Sequence, residues 1–347
     1  MEDMESEKTK TIFERILDKK ALILILFGII IRIFMLIYYY YSHIIYPNRS
    51  WGDIGLNFSR SIYYPPLGTI LLDLIRLLSF GIIEIFAFWA FIWDLGTVLM
   101  FYFVLKSFNI KNINYAFGLF LINPFFFLNN SFSLENCGYH ITDAFFFFFL
   151  FLALIYYPRE KVYARYLFYG FLGISMVIKY YTLPALGFLF IKHLYDKNWK
   201  EMKIFILSIA PILIAFLIVP FLFFESYLTE LLRWYSKGDY IPLYLRMIPI
   251  GLIAILFIIF RMKNSDIFET TIVSIMAMAS FMIFSLPYLR WFQSIIFYGV
   301  LREREFFSFK LNFGIIERKI IINNHTLTFY LSFIGVLGSY LIILFIL

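Results

Sequence analysis

The chemistry this chain can do rests on a few charged side chains in an otherwise apolar sequence. Asp53 ends the polar stretch Tyr46-Pro-Asn-Arg-Ser-Trp-Gly-Asp53. A carboxylate there can act as a general base toward a hydroxyl within hydrogen-bond reach. Gly52 lets a second group come close, and Trp51 offers a stacking platform for a sugar ring or an anchor at a membrane interface. The plainer reading of Asp53 is a solvated loop acid that caps a short helix.

Other charges lie inside or beside long apolar runs, where an unpaired charge is costly and marks a candidate site. Arg32 lies too deep in the first run to snorkel easily. It calls for a phosphate or carboxylate partner, and Asp94 in the second run is the structural candidate. Glu135, His140 and Asp143 stand together where an outer loop enters another run; Thr142 and Asp143 are also suited to cap that helix. A metal site from Glu135, His140 and Asp143 is conceivable, but their spacing is not diagnostic of one. Lys179, in Ile178-Lys-Tyr-Tyr-Thr-Leu-Pro184, can hold a phosphate as a point charge. Arg290, beside Tyr288 and Trp291, can hold one as a bidentate donor. Snorkelling and interfacial anchoring are the structural alternatives for these two.

The elements that must position these residues are membrane helices. Of the 347 residues, 62% are hydrophobic and 15% charged, against about 25% charged in a soluble protein, so lipid is the solvent that fits. About 20 apolar residues cross the hydrocarbon, and such runs fall at 21–41, 82–105, 113–131, 141–157, 165–179, 180–195, 204–223, 243–261, 268–286, 288–301 and 326–347. The expected fold is an all-α polytopic membrane protein of about 9–11 transmembrane helices. Its parts are a cytoplasmic tail over 1–20 and a single membrane domain over 21–347. The 165–179, 180–195 and 288–301 runs are short enough to be broken or incompletely crossing helices.

With the N-terminus inside, 21 of the 30 Lys and Arg fall in inner segments and 8 in outer ones, as the positive-inside bias requires. Asp53, Asp143, Lys179 and Arg290 then share the outer side. The longest outer segment, 42–81, passes through Tyr64-Pro-Pro-Leu67 into an apolar stretch at 67–80. That stretch reads as an interfacial helix started by its prolines, with Asp73 and Arg76 on one face. The single cysteine, Cys137, excludes an internal disulfide. No phosphate-cradling loop, dinucleotide fingerprint, zinc helix or nucleophile elbow is present, and no basic stripe suggests nucleic acid.

In order and position these pieces resemble GT-C type glycosyltransferases that use polyprenyl- or dolichyl-phosphate-linked sugars, near the branch holding the first mannosyltransferase of GPI-anchor synthesis. The resemblance runs from Arg32 to Trp291. An Arg in the first span precedes an outer acid, Asp53; Tyr64-Pro-Pro-Leu67 and an apolar outer helix follow, then Asp94. Asn123-Pro124 leads to Ser131 and Asp143. Lys179-Tyr-Tyr with Pro184, and Pro287-Tyr288 with Trp291, complete the series. Two departures stand out: Asp53 has no acidic neighbour, and the family's Gly-Gln-x-Asp-like element is altered to Gly138-Tyr-His-Ile-Thr-Asp143.

The resemblance implies inverting transfer of a hexose such as mannose, on the extracytoplasmic side of the cell membrane or endoplasmic reticulum. The acceptor would be a lipid-linked or protein-linked glycan. Asp53 would be the base. Lys179, Arg290 or Arg32 would stabilise the departing lipid phosphate, and Trp51, Tyr64, Glu135, His140, Asp143 and Tyr288 would line the substrate site. No cofactor is required on this reading, and the altered element leaves any divalent-metal dependence open. The alternative from another class is a transporter or flippase of a lipid-linked or small polar substrate, although transporters often carry internal repeats and midplane charges and no repeat is visible here.

Overall fold

A computed structural model describes residues 12–45, 58, 65–110, 113–122, 141–223, 243–282, 301, 305–312 and 317–323. In chain order these form α1 (Ile12–Ile45), α2 (Pro66–Leu78), α3 (Ile83–Ser107), α4 (Ile113–Leu121), α5 (Ile141–Tyr156), α6 (Val162–Ile178), α7 (Pro184–Tyr195), α8 (Trp199–Leu213), α9 (Val219–Phe223), α10 (Leu243–Phe260) and α11 (Ile267–Met282). Two strands follow, β1 (Glu305–Asn312) and β2 (Glu317–Asn323).

Among the described residues, two helical stretches are long and apolar enough to cross a membrane, Ile83–Ser107 and Trp199–Leu222. The count rises to three if α6 and the segment Tyr180–Tyr195, bent by 120° at their junction, form one broken span. The remaining expected spans are not all matched by full crossings. α5 has 16 residues, about 24 Å of helix against a hydrocarbon thickness of about 30 Å. α4 covers only 113–121 of the expected 113–131. The sequence accounts for that early end, because Pro124 disfavours helical backbone at the residue before it. The runs at 288–301 and 326–347 lie almost wholly outside the described residues.

The all-helical expectation is corrected at one place. β1 and β2 pair antiparallel, with Phe309 opposite Ile320 and Lys310 opposite Lys319. Phe307, Phe309 and Leu311 alternate with Ser308, Lys310 and Asn312 in β1, and with the β-branched triplet Ile320 to Ile322 they favour this pairing.

The core lies among α3, α5 and α6, which pack side by side, with α8 against α6. Aromatic rings fill it: Phe101 stacks on Phe120 at 3.9 Å, and Trp93 meets Phe145 edge-on at 4.7 Å. Within the Phe145–Phe149 run, Phe145 and Phe146 are buried and the other three half-buried, so the run is mostly core. α1 packs chiefly along α4. The contact is close because two glycines sit in it: a Cβ on Gly28 would stand 2.5 Å from the Cβ of Leu121, and one on Gly118 2.8 Å from that of Leu24. Over 22–34, α1 also presents exposed apolar side chains, Leu22, Leu26, Ile30 and Phe34 among them, which suits a lipid-facing helix.

α2 covers most of the 67–80 stretch expected to be helical. Its 13 residues give about 20 Å, too short to cross. Gly68, Leu72 and Ile75 are buried, while Ile70, Leu74 and Leu77 are exposed. Asp73 and Arg76 pair one turn apart.

Candidate functional site

Two ion pairs collect four of the charges that the sequence singles out. The first joins Lys179 to Asp143, 36 residues apart, through a hydrogen bond between Nζ and Oδ1. Both side chains are nearly buried, 8% and 14% exposed, so the contact is desolvated. Its position follows from local structure. α6 stops at Ile178, Lys179 takes up extended backbone, a single tight turn covers Tyr180–Thr182, and Pro184 restarts the helix in α7. Proline suits that restart because its missing N–H belongs to a first turn that has no intrahelical acceptor. The break turns the chain by 120° and puts the lysine at its apex. The ammonium also sits over the Tyr181 ring at 5.0 Å, and Ser175 and Thr182 share a hydroxyl contact of 3.0 Å across the same turn. Asp143, in the first turn of α5, spends its carboxylate on Lys179 across to α6.

The second pair joins Arg32 to Asp94: Nε donates to Oδ2 at 3.2 Å. Arg32 is 2% exposed. It therefore has the carboxylate partner that the sequence offered as the structural reading, and Nη1 also donates to the Leu121 carbonyl at 2.7 Å. One turn along α3 from Asp94, the Thr97 hydroxyl lies 2.9 Å from the carbonyls of both Trp93 and Ala144. Ala144 is next to Asp143, so α3 is tied to the first turn of α5 beside the Lys179 pair.

The chain matches no family model, no curated protein and no solved structure. Its chemistry must be argued from its own residues. Of the remaining sequence candidates, Asp53, Trp51, Tyr64, Glu135, His140, Tyr288 and Arg290 lie outside the described residues. Among the described residues, no group of three or more His, Cys, Asp and Glu side chains could hold a metal ion.

A third polar cluster had no signal in the sequence. Tyr169 of α6 donates to Glu201 Oε1 of α8 at 3.0 Å and meets His193 Nε2 of α7 at 3.1 Å. Because the single phenol proton goes to the carboxylate, the imidazole must donate at Nε2. Arg165 lies 3.8 Å from the same carboxylate. Nearby, Lys192 Nζ donates to Asp196 at 2.8 Å and to the Met262 carbonyl at 2.9 Å, joining α7 to the turn before α11. His193 and Glu201 are eight positions apart on two helices, so no helical periodicity connects them. The 120° bend between α6 and α7 brings His193 to Tyr169.

Proposed function

We propose that this protein is a membrane glycosyltransferase of the GT-C type. It moves a hexose such as mannose from a polyprenyl- or dolichyl-phosphate carrier to a lipid-linked or protein-linked glycan acceptor on the extracytoplasmic side. Asp53 is the general base that takes the acceptor hydroxyl proton as the sugar carbon is attacked. The departing lipid phosphate gains charge in the transition state, and a fixed cation beside it is worth most in a water-poor site. Lys179 is that cation, and Asp143 holds it in place.

The observation that carries this reading is the buried contact between Asp143 and Lys179 at the α6–α7 break. Two residues that the family resemblance selects independently, from different parts of the chain, meet at one desolvated point. A buried ion pair is weak support for stability, so its placement at a helix break beside a charge-bearing turn favours a functional role.

The test is sugar transfer from a polyprenyl-phosphate hexose by the full chain reconstituted in lipid. Asp53→Asn should abolish turnover while leaving the protein folded and donor binding intact. Near wild-type transfer by folded Asp53→Asn removes the base from the mechanism. The 120° break also suits a moving helix pair in a transporter; carrier movement across the bilayer by a protein that transfers no sugar would favour that second reading.

A further inference from the structure

Arg32 lies near the middle of the apolar run 21–41, and α4 ends at Leu121 after only 9 residues, about 13 Å of helix. On the sequence reading that a span opens at 113, a helix of that length stops inside the hydrocarbon. The last four carbonyls of any helix have no intrahelical partner, and in lipid an unsatisfied carbonyl is costly because no water replaces the missing donor. Arg32 meets that need at Leu121. One guanidinium serves three helices: Nη1 donates to the Leu121 carbonyl at 2.7 Å and lies 3.4 Å from that of Gly28, while Nε donates to Asp94 at 3.2 Å. The cation also sits favourably at the negative end of the helix dipole. The reach is short because Gly28 and Gly118 let α1 and α4 come together.

We propose that Arg32 is a positioning residue and does not touch the substrate phosphate: it closes the mid-membrane end of α4 and fixes the depth and rotation of α1 against the bundle. The consequence for activity rests on the reading of Asp53 given above, since Asp53 follows α1 in the chain while Lys179 belongs to the bundle. The connection is continuous on the bundle side. Arg32 holds Asp94, Thr97 one turn away holds Ala144, and the neighbouring Asp143 holds Lys179. Arg32 thereby fixes α1 relative to the helices that carry Asp143 and Lys179. The planar fork of Arg32 aims Nε at Asp94 and Nη1 at Leu121 in fixed directions, an orientation that the single point charge of a lysine ammonium does not reproduce.

The experiment uses the full chain in lipid nanodiscs on a Cys137→Ser background. Nitroxides are placed at Leu26 of α1 and Leu99 of α3, both about half exposed, and their separation is measured by pulsed EPR. Arg32→Gln, Arg32→Lys and the double variant Arg32→Gln with Asp94→Asn are compared; the double variant leaves no isolated buried charge if the single ones fail to fold. The expected result is a shifted or broadened distance distribution in every folded variant. Transfer assays on the same proteins should show kcat reduced by about 100-fold, the loss expected of a misplacement of about 1 Å, with the KM for polyprenyl-phosphate hexose unchanged and no rescue by Lys. An unmoved distribution overturns the proposal, as does a raised donor KM with kcat retained. If the wild-type protein transfers no sugar, the function assigned to Asp53 fails, and the spin-label distances still decide whether Arg32 sets the position of α1.

Discussion

The two polar clusters on α6 lie ten residues apart, about 15 Å along the helix, and they are built differently. At the C-terminal end, full opposite charges on Lys179 and Asp143 meet in a desolvated turn where the helix breaks. Toward the N-terminal end, the neutral hydroxyl of Tyr169 bridges His193 and Glu201 between intact helices, with Arg165 at the partly exposed rim. Burying two charges costs several kcal/mol per ion before their attraction repays it, whereas a satisfied hydroxyl bridge contributes about 1 kcal/mol net. A fold that needed only to hold α6 against its neighbours would use the second arrangement at both ends. The charged pair at the break therefore points to a role beyond packing, and the Tyr169 cluster reads as a clasp that closes the α6–α7 hairpin and docks α8.

The sharpest way to break this contrast is Asp143→Ala. Leaving Lys179 buried without its carboxylate should cost about 3–5 kcal/mol, measured by unfolding in mixed micelles, and should abolish transfer. Replacing both partners by apolar residues, Asp143→Leu with Lys179→Met, should recover most of that stability without recovering transfer. If activity returns with stability, the pair is structural and the contrast collapses. Tyr169→Phe is expected to cost about 1–3 kcal/mol, because His193 and Glu201 keep their polar atoms and lose the bridge; kcat should stay near wild type. A collapse of kcat at unchanged stability would place Tyr169 in the chemistry. The smallest effect belongs to the exposed Asp73–Arg76 pair on α2. Asp73→Asn should change stability by about 0–1 kcal/mol, and a larger loss would show that α2 is held by charge more than by Leu72 and Ile75.

Much of the helical framework was legible in the sequence. Apolar runs marked most of the helices, Pro65-Pro66 marked the start of α2 and the Lys179–Pro184 stretch marked the break between α6 and α7, because prolines and apolar periodicity act locally. Arg32 with Asp94 was also legible as a pair, since a deep cation and a deep anion each need a partner. The short reach of α4 and the β-hairpin at 305–323 were not. An apolar residue reads the same in a full span and in a helix that stops halfway, and the alternation in β1 and β2 is masked by a composition that is apolar nearly everywhere.

The sequence by itself determined that the chain is apolar enough to suit a membrane, that its few charges must find partners, and that Lys179 stands where a helix is interrupted. Only the tertiary structure decided which partner each charge takes. Asp143, in the first turn of its own helix, pairs across to Lys179. Arg32 could have met a phosphate and instead closes α4 and binds Asp94. The reason is that partner choice depends on which helices pack side by side, and that is fixed by non-local contacts, such as the Gly28 and Gly118 approach and the Phe101–Phe120 stack, that no local pattern announces.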